Sequence, residues 1–245
     1  PLFFSTPKPA SAILSGLVGS EMCIRDRECE AKILDFGDNW IILDQTVFYA
    51  EGGGQLGDTG LIKAGQQEIQ IENTVKENDL IKHIFNSKFD FEIGVNVTCI
   101  IDWDRRYKLM KMHTSLHLLC SLVNAKVTGG SVGDGKGRLD FNLDFKPNKD
   151  ELKDNLNDLI QGNHDITISW ISAQELDKNP NLVKTMSVLP PRTNGSIRMV
   201  RIGDNIDYQP CGGTHVKNTS EIGLVEINKV ENKGKLNKRV AISLV

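Results

Sequence analysis

The chain contains the segment Trp103-Asp-Arg-Arg-Tyr-Lys-Leu-Met-Lys-Met-His113-Thr-Ser-Leu-His117-Leu-Leu-Cys-Ser-Leu-Val123, which lacks glycine and proline and predicts a long helix. Its apolar residues recur at helical spacing in one stripe, formed by Leu109, Met112, Leu116, Leu119 and Val123. His113 and His117 lie about 60° around the helix from that stripe, with β-carbons about 5 to 6 Å apart. We therefore expect both imidazoles to border the core and to face a cleft.

A second motif, Cys211-Gly-Gly-Thr-His215, follows in a segment that Pro210 and the two glycines predict to be a tight loop. Two histidines four residues apart on a half-apolar helix are more often packing residues than metal ligands. The additional Cys/His pair reverses that preference, because imidazole nitrogen and thiolate sulfur are the donors that zinc prefers. We predict a zinc site formed by His113, His117, Cys211 and His215. The motifs leave open whether all four bind directly or whether His215 contacts the ion through water.

The composition is that of an ordinary globular protein of 245 residues, with a formal net charge of −3. A nucleic-acid partner must therefore be held by a local basic patch. Basic residues do collect before the histidines and near the C-terminus, and the candidate phosphate contacts are Arg105, Arg106, Lys108, Lys235 and Lys238. The five cysteines have no disulfide-like spacing, and no apolar run is long enough for a membrane span. These features favour a cytoplasmic protein that does not enter membranes.

Three regions are expected along the chain. Residues 1–27 end in a segment that resembles a translated sequencing adapter, and we expect them to be non-native or disordered. Residues 28–102 show short alternating runs broken by turns, which predict a small β-barrel-like domain or a sandwich, with a glycine-rich loop. Residues 103–245 combine helices at 103–123, 149–161 and 173–178 with several strands. They predict an α+β domain with a mainly antiparallel sheet.

Two glycine-rich segments have competing interpretations. Gly52-Gly-Gly54 fits either a hairpin turn or a loop whose backbone approaches a ligand closely. The stretch from Gly130 to Lys136 matches part of a phosphate-binding loop, but Gly137 replaces the required Ser or Thr, and a strand pattern follows instead of a helix. We predict a β-hairpin there and no nucleotide cofactor.

Four separated segments resemble the free-standing alanyl-tRNA editing proteins, the AlaX family in its medium-sized form, and the editing domain of alanyl-tRNA synthetase. They are residues 48–60, 102–119, 129–141 and 209–215. Threonyl-tRNA synthetase editing domains share the two spaced histidines. Cys-Gly-Gly-Thr-His is, however, similar to the alanine branch.

The resemblance implies hydrolysis of mischarged tRNA(Ala), chiefly seryl-tRNA(Ala) with glycyl-tRNA(Ala) as a second candidate, and hence a role in translation fidelity. By position, the four metal candidates match the family's metal motifs. Gln55 matches a glutamine associated with editing, and Thr46 stands where a family threonine borders the amino-acid pocket. Two other classes remain open: a zinc-stabilised RNA-binding module without hydrolytic activity, and a metallohydrolase of free aminoacyl esters. The oligomeric state also remains open.

Overall fold

A computed structural model describes residues 26–88, 90, 92–186 and 195–245. The leader predicted at residues 1–27 lies outside these ranges except for its last two residues. The described residues group into two compact units. The first runs to Ala50 and resumes from Gly57 to Asp102, and the second takes Glu51–Leu56 and Trp103–Val245. Within the described ranges, no helix has the length and apolar character needed to cross a membrane.

The first unit is a seven-stranded antiparallel sheet with the order β4-β3-β7-β1-β2-β6-β5. Its strands are β1 (Glu28–Phe36), β2 (Trp40–Leu43), β3 (Gly60–Ala64), β4 (Gln67–Ile71), β5 (Asn73–Glu77), β6 (Leu80–Ile84) and β7 (Asn96–Ile101). Alternate apolar residues such as Ile33, Ile62 and Val97 are buried, as period-two patterning requires. Among the described strands no ladder joins the two edge strands β4 and β5, so the predicted barrel-like closure is not found.

In its described residues, the second unit combines three α-helices with two antiparallel sheets, which confirms the predicted α+β class. The helices are α1 (Trp103–Leu122), α2 (Lys149–Gln161) and α3 (Ala173–Lys178). The strands are β8 (Val127–Val132), β9 (Lys136–Phe141), β10 (Ile166–Ser172), β11 (Ser196–Ile202), β12 (Asp207–Pro210), β13 (Val225–Gly234) and β14 (Asn237–Leu244). One sheet has the order β13-β14-β9-β8 and the other β10-β11-β12.

Helix α1 is buried on more sides than its apolar stripe predicted. It contacts α2, β8, β9 and β12, so residues from Leu109 to Cys120 are buried except Lys111. His113 and His117 retain 8% and 6% of their surface, so both border the core as predicted, and the cleft that they are expected to face stays a prediction. The histidine stripe is covered because β12 packs against this helix.

The segment from Gly130 to Lys136 forms the β8–β9 hairpin, as predicted. Its turn is closed by a hydrogen bond from the Gly133 N–H to the Lys136 carbonyl (2.8 Å), and Gly135 has φ 70°. In β9, Gly137 faces α1, and a Cβ there would lie 2.6 Å from the sulfur of Met112. This glycine therefore serves close helix–sheet packing.

Candidate metal centre

The two motifs bring four potential ligands together. The candidate donor atoms of His113, His117, Cys211 and His215 all lie within 4.8 Å of one another. Cys211 Sγ is 3.5 Å from His113 Nε2 and 3.3 Å from His215 Nε2. All four residues lie in the second unit, with the first pair on α1 and the second in the loop after β12.

The amide of Gln55 fixes the ring of His113. The Thr214 N–H donates to Gln55 Oε1 (3.1 Å), while Gln55 Nε2 donates to Thr214 Oγ1 (2.9 Å), so the orientation of the amide is defined. His113 Nδ1 lies 2.8 Å from the same Oε1, which can only accept a hydrogen bond. His113 Nδ1 therefore carries the proton, and its Nε2 lone pair faces Cys211.

His215 and His117 are oriented in the same way. The Thr114 hydroxyl donates to the Met110 carbonyl (3.0 Å), so its oxygen accepts from His215 Nδ1 (3.1 Å). The carboxylate of Asp207 accepts from His117 Nδ1 (2.8 Å). Metal-binding histidines usually donate their second ring N–H to such a partner, which fixes the tautomer and the direction of the other nitrogen.

Gln55 is placed by a two-residue hairpin turn. Gly52 and Gln55 exchange both backbone hydrogen bonds, at 3.1 and 2.9 Å. Gly53 and Gly54 between them have φ 59° and 83°, the positive pair typical of a type I′ turn. Glycines suit both central positions, because positive φ is costly for residues with a Cβ. The hairpin-turn interpretation of the glycine run is confirmed, and Val132 of β8 pairs with Gln55 beside it.

The Cys-Gly-Gly loop is held from β11 and has no room for a side chain at Gly213. The Arg198 guanidinium donates through Nη1 to the carbonyls of Cys211 (2.7 Å) and Gly213 (3.0 Å). The Cys211 N–H in turn donates to the Arg198 carbonyl (3.1 Å). A Cβ on Gly213 would lie 2.1 Å from His113 Cε1 and 2.9 Å from Gln55 Oε1.

Without an ion, the cluster favours a Cys211 thiolate beside a charged His117 imidazole. Burial raises the pKa of Cys211, but the three imidazoles, led by His113, hold it well below its usual value. Burial lowers the pKa of His117, but the Cys211 thiolate and Asp207 outweigh burial and raise it to about 9. Burial, together with His113, lowers the pKa of His215 to about 3. Binding of a cation therefore displaces a proton from His117.

The donor set fits a metal ion. A tetrahedral zinc ion with bonds of about 2.1 and 2.3 Å places neighbouring nitrogen and sulfur donors roughly 3.5 Å apart. The two sulfur–nitrogen distances of 3.5 and 3.3 Å agree with that separation. The cluster could bind a metal through three Nε2 atoms and one sulfur.

Of the other predicted site residues, Thr46 belongs to the first unit, and two of the basic residues are buried. The Thr46 hydroxyl contacts His83 Nε2 (2.8 Å) and accepts from the Phe48 N–H (3.0 Å). Arg106 is 1% exposed and therefore cannot meet phosphate in this conformation. Lys238 is 4% exposed, and its ammonium group donates to three backbone carbonyls, those of Leu143, Gly234 and Lys235. The expectation that Arg106 and Lys238 contact tRNA is corrected accordingly.

Lys108 and Lys235 are exposed and Arg105 is half-buried. Lys108 Nζ lies 3.7 Å from Asp134, a loose pairing that leaves the ammonium accessible. These three residues remain candidates for phosphate contact.

The residues that orient the ligands were not predicted from the sequence: Thr114, Asp207, Gln209, Thr214 and Arg198. One usable signal was present in β12. Asp207, Gln209 and Cys211 alternate along the chain, and alternate residues of a strand share one face. Two polar side chains on the face of a predicted ligand indicate hydrogen-bond partners for the metal cluster, and in the structure both contact His117.

Comparison with known proteins agrees with this geometry. A family model described as tRNA synthetases class II (A) matches residues 18–105. One described as Threonyl and Alanyl tRNA synthetase second additional domain matches residues 197–241, which include the Cys211 loop. Fold and cluster thus define a domain of the editing type that accompanies alanyl and threonyl tRNA synthetases.

Two similar relatives are called Alanyl-tRNA editing protein AlaX-M. That of Methanosarcina acetivorans is 35% identical over 235 residues, which is 89% of this chain and 95% of the relative. That of Saccharolobus solfataricus is 35% identical over 90% of this chain and 96% of the relative. The Alanine--tRNA ligase of Sulfurisphaera tokodaii is 36% identical over 84% of this chain but only 24% of the ligase. The chain belongs to the AlaX-M family of alanyl-tRNA editing proteins.

Proposed function

We propose that this chain hydrolyses the ester bond of tRNA(Ala) mischarged with serine, or with glycine, at a site that holds a zinc ion. The observation that carries the proposal is the four-donor cluster, in which each imidazole presents Nε2 while its Nδ1 is hydrogen-bonded. The names of the relatives supply the substrate class, alanyl-tRNA. Nitrogen and thiolate donors favour zinc over magnesium or calcium. We expect the reaction to take place in the cytoplasm, where tRNA is charged.

Hydrolysis of an aminoacyl ester requires few catalytic groups. An aminoacyl ester is already activated, so hydrolysis needs a positioned water and stabilisation of the charge that develops on the carbonyl oxygen. A zinc ion held by His113, His117, Cys211 and His215 would supply electrostatic stabilisation and, where a coordination position is open, would acidify water. Gln55 holds His113 in place. Because Gln55 Oε1 already accepts hydrogen bonds from His113 and Thr214, Gln55 can bind a substrate hydroxyl only as an N–H donor.

Selection of serine against alanine requires a polar partner for the serine hydroxyl, and we retain Thr46 for this role on the basis of the resemblance. His83 Nδ1 donates to the Ile41 carbonyl (3.1 Å), so His83 Nε2 accepts the proton of the Thr46 hydroxyl. The oxygen of Thr46 would then meet a substrate hydroxyl as an acceptor. A polar site left unpaired by alanine can discriminate by several powers of ten.

For the tRNA body, we propose phosphate contacts from Arg105, Lys108 and Lys235. Each contact to duplex phosphate contributes about 0.9 to the slope of log affinity against log salt. Lys108→Gln and Lys235→Gln should each reduce that slope by about 1 and weaken binding to all tRNA sequences alike. A slope unchanged in both variants would remove these residues from the interface.

The deciding experiment measures how fast the metal-loaded protein hydrolyses each of three substrates: seryl-tRNA(Ala), alanyl-tRNA(Ala) and a simple serine ester. Editing predicts rapid loss of serine from tRNA, slow loss of alanine and little reaction with the free ester. Equal hydrolysis of the free ester would favour the general metallohydrolase. Tight tRNA binding without any hydrolysis would favour the RNA-binding module.

A further inference from the structure

A chain of polar groups connects His117 to the protein surface. His117 Nδ1 donates to Asp207 Oδ2 (2.8 Å), and the other carboxylate oxygen, Oδ1, accepts from Lys184 Nζ (2.6 Å). Within this series of hydrogen-bonded groups, the side-chain exposure rises from 0% for Asp207 to 27% for Lys184. The lysine ammonium is therefore the end of the chain that reaches solvent.

The plane of the Asp207 carboxylate is fixed at more than one point. Gln209 Nε2 also donates to Asp207 Oδ2 (2.8 Å), from two residues further along the same strand. Oδ2 thus accepts from both His117 and Gln209, while Oδ1 accepts from Lys184. A carboxylate held by these hydrogen bonds has one orientation in which it can accept a hydrogen bond from the His117 N–H.

The ammonium group of Lys184 offsets the cost of burying the Asp207 carboxylate. Removing a carboxylate from water costs several kcal/mol unless an opposite charge and hydrogen bonds replace the solvent. Lys184 supplies that charge, and its backbone is held in place by hydrogen bonds with Val127. Val127 at the start of β8 donates its N–H to the Lys184 carbonyl (2.9 Å) and accepts from the Met186 N–H (2.8 Å). Without the ammonium group, the buried carboxylate would lose its hydrogen bond at Oδ1 and the nearby positive charge, which would weaken its hold on His117.

We propose that Lys184, acting through Asp207, is a positioning residue that holds His117 as a metal ligand. The inference rests on the proposed zinc site and deepens it, since neither side chain would touch the ion or the substrate. Groups that orient metal-binding histidines typically contribute tenfold to hundredfold in metal affinity. The affinity for zinc should therefore depend on a lysine that no metal-ligand motif contains.

The test is the zinc dissociation constant of the full chain, measured by competition with a chromogenic chelator. Lys184→Met should weaken zinc binding about tenfold or more, and Asp207→Ala by up to about a hundredfold. Asp207→Asn should fall between them, because the amide oxygen can still accept from His117 but offers Lys184 no charge. Lys184→Arg should restore most of the affinity.

A matched control comes from α2, where Lys153 pairs with Glu226 at 2.9 Å on the exposed surface. Lys153→Met removes the same kind of ion pair and should leave zinc affinity unchanged. The double variant of Lys184→Met and Asp207→Ala should be no weaker than Asp207→Ala alone, because Lys184 acts through Asp207.

Cobalt(II) replacement supplies a readout that a loss of general stability would not move. In folded Lys184→Met, the visible d–d bands should change as the His117 imidazole loosens, while the thiolate-to-cobalt band persists. Wild-type zinc affinity and an unaltered cobalt spectrum in Lys184→Met would overturn the proposal. If that variant fails to fold, Asp207→Asn decides by the same two measurements. Tight zinc binding by a wild-type protein that hydrolyses no seryl-tRNA would instead refute the proposed function and leave this inference standing.

Discussion

Gly213→Ala should damage the metal centre through a single methyl group. The new Cβ would lie 2.1 Å from Cε1 and 2.4 Å from Nδ1 of His113, and 2.9 Å from Gln55 Oε1. Carbon atoms in contact prefer about 3.5 to 4.0 Å, so the ring or the loop must shift by roughly 1 Å or more. Such a shift breaks the 2.8 Å bond between His113 and Gln55 and moves Nε2 relative to Cys211.

The expected loss is tenfold to hundredfold in zinc affinity, which corresponds to about 1.4 to 2.7 kcal/mol. Competition with a chromogenic chelator measures it directly, and circular dichroism checks the fold. Gly129→Ala is the control, because a Cβ there meets only Asp140 Oδ2 at 3.4 Å, an ordinary contact outside the site. Zinc affinity of Gly213→Ala within twofold of the wild type would refute the packing argument.

Three further predictions concern residues around the site and in the first unit. Thr46→Val should raise cleavage of alanyl-tRNA(Ala) relative to seryl-tRNA(Ala), because the polar partner of serine is lost; an unchanged ratio of kcat/KM would remove Thr46 from discrimination. Burial lowers the pKa of His83 from 6.5 to about 4, so the unfolded chain takes up a proton in that window that the folded chain does not. The stabilisation that depends on neutral His83 is therefore fully present above about pH 6.5 and is lost as the pH is lowered, by about 2 kcal/mol between pH 7 and pH 5. Urea unfolding of His83→Gln should lack this loss, and equal losses in the variant and the wild type would contradict the prediction. Lys238→Met should destabilise the fold by about 1 to 3 kcal/mol, because the buried contact to the Leu143 carbonyl is lost together with two part-buried contacts. The salt dependence of tRNA binding should not change; a reduced slope would return Lys238 to the interface.

The sequence predicted elements well where local signals were strong. The predicted helices 149–161 and 173–178 match α2 and α3, since Asn148 and Ser172 cap their N-termini. Strand β5 carries no apolar alternation in the sequence, because its polar run Asn-Thr-Val-Lys-Glu buries only Thr74 at the edge of the sheet. Edge strands lack the two-sided contacts that impose an apolar pattern.

The metal cluster was predictable because its donors come in short motifs with distinctive residue types. The groups that orient the donors were not, because the contacts of Thr114 with His215 and of Asp207 with His117 join residues about a hundred positions apart. The burial of Arg106 and Lys238 was equally hidden, since a basic residue in a sequence carries no mark of whether its charge reaches solvent. Those features depend on packing that only the folded chain defines.

The most direct test of the central claim is release of serine from seryl-tRNA(Ala) by the purified protein, beside alanyl-tRNA(Ala), before chelation, after chelation and after zinc is restored. We predict serine-selective hydrolysis that disappears with the metal and returns with zinc. Hydrolysis that persists in a protein verified to be metal-free, or equal cleavage of both tRNAs, would contradict the proposal of a zinc-dependent editing site at His113, His117, Cys211 and His215.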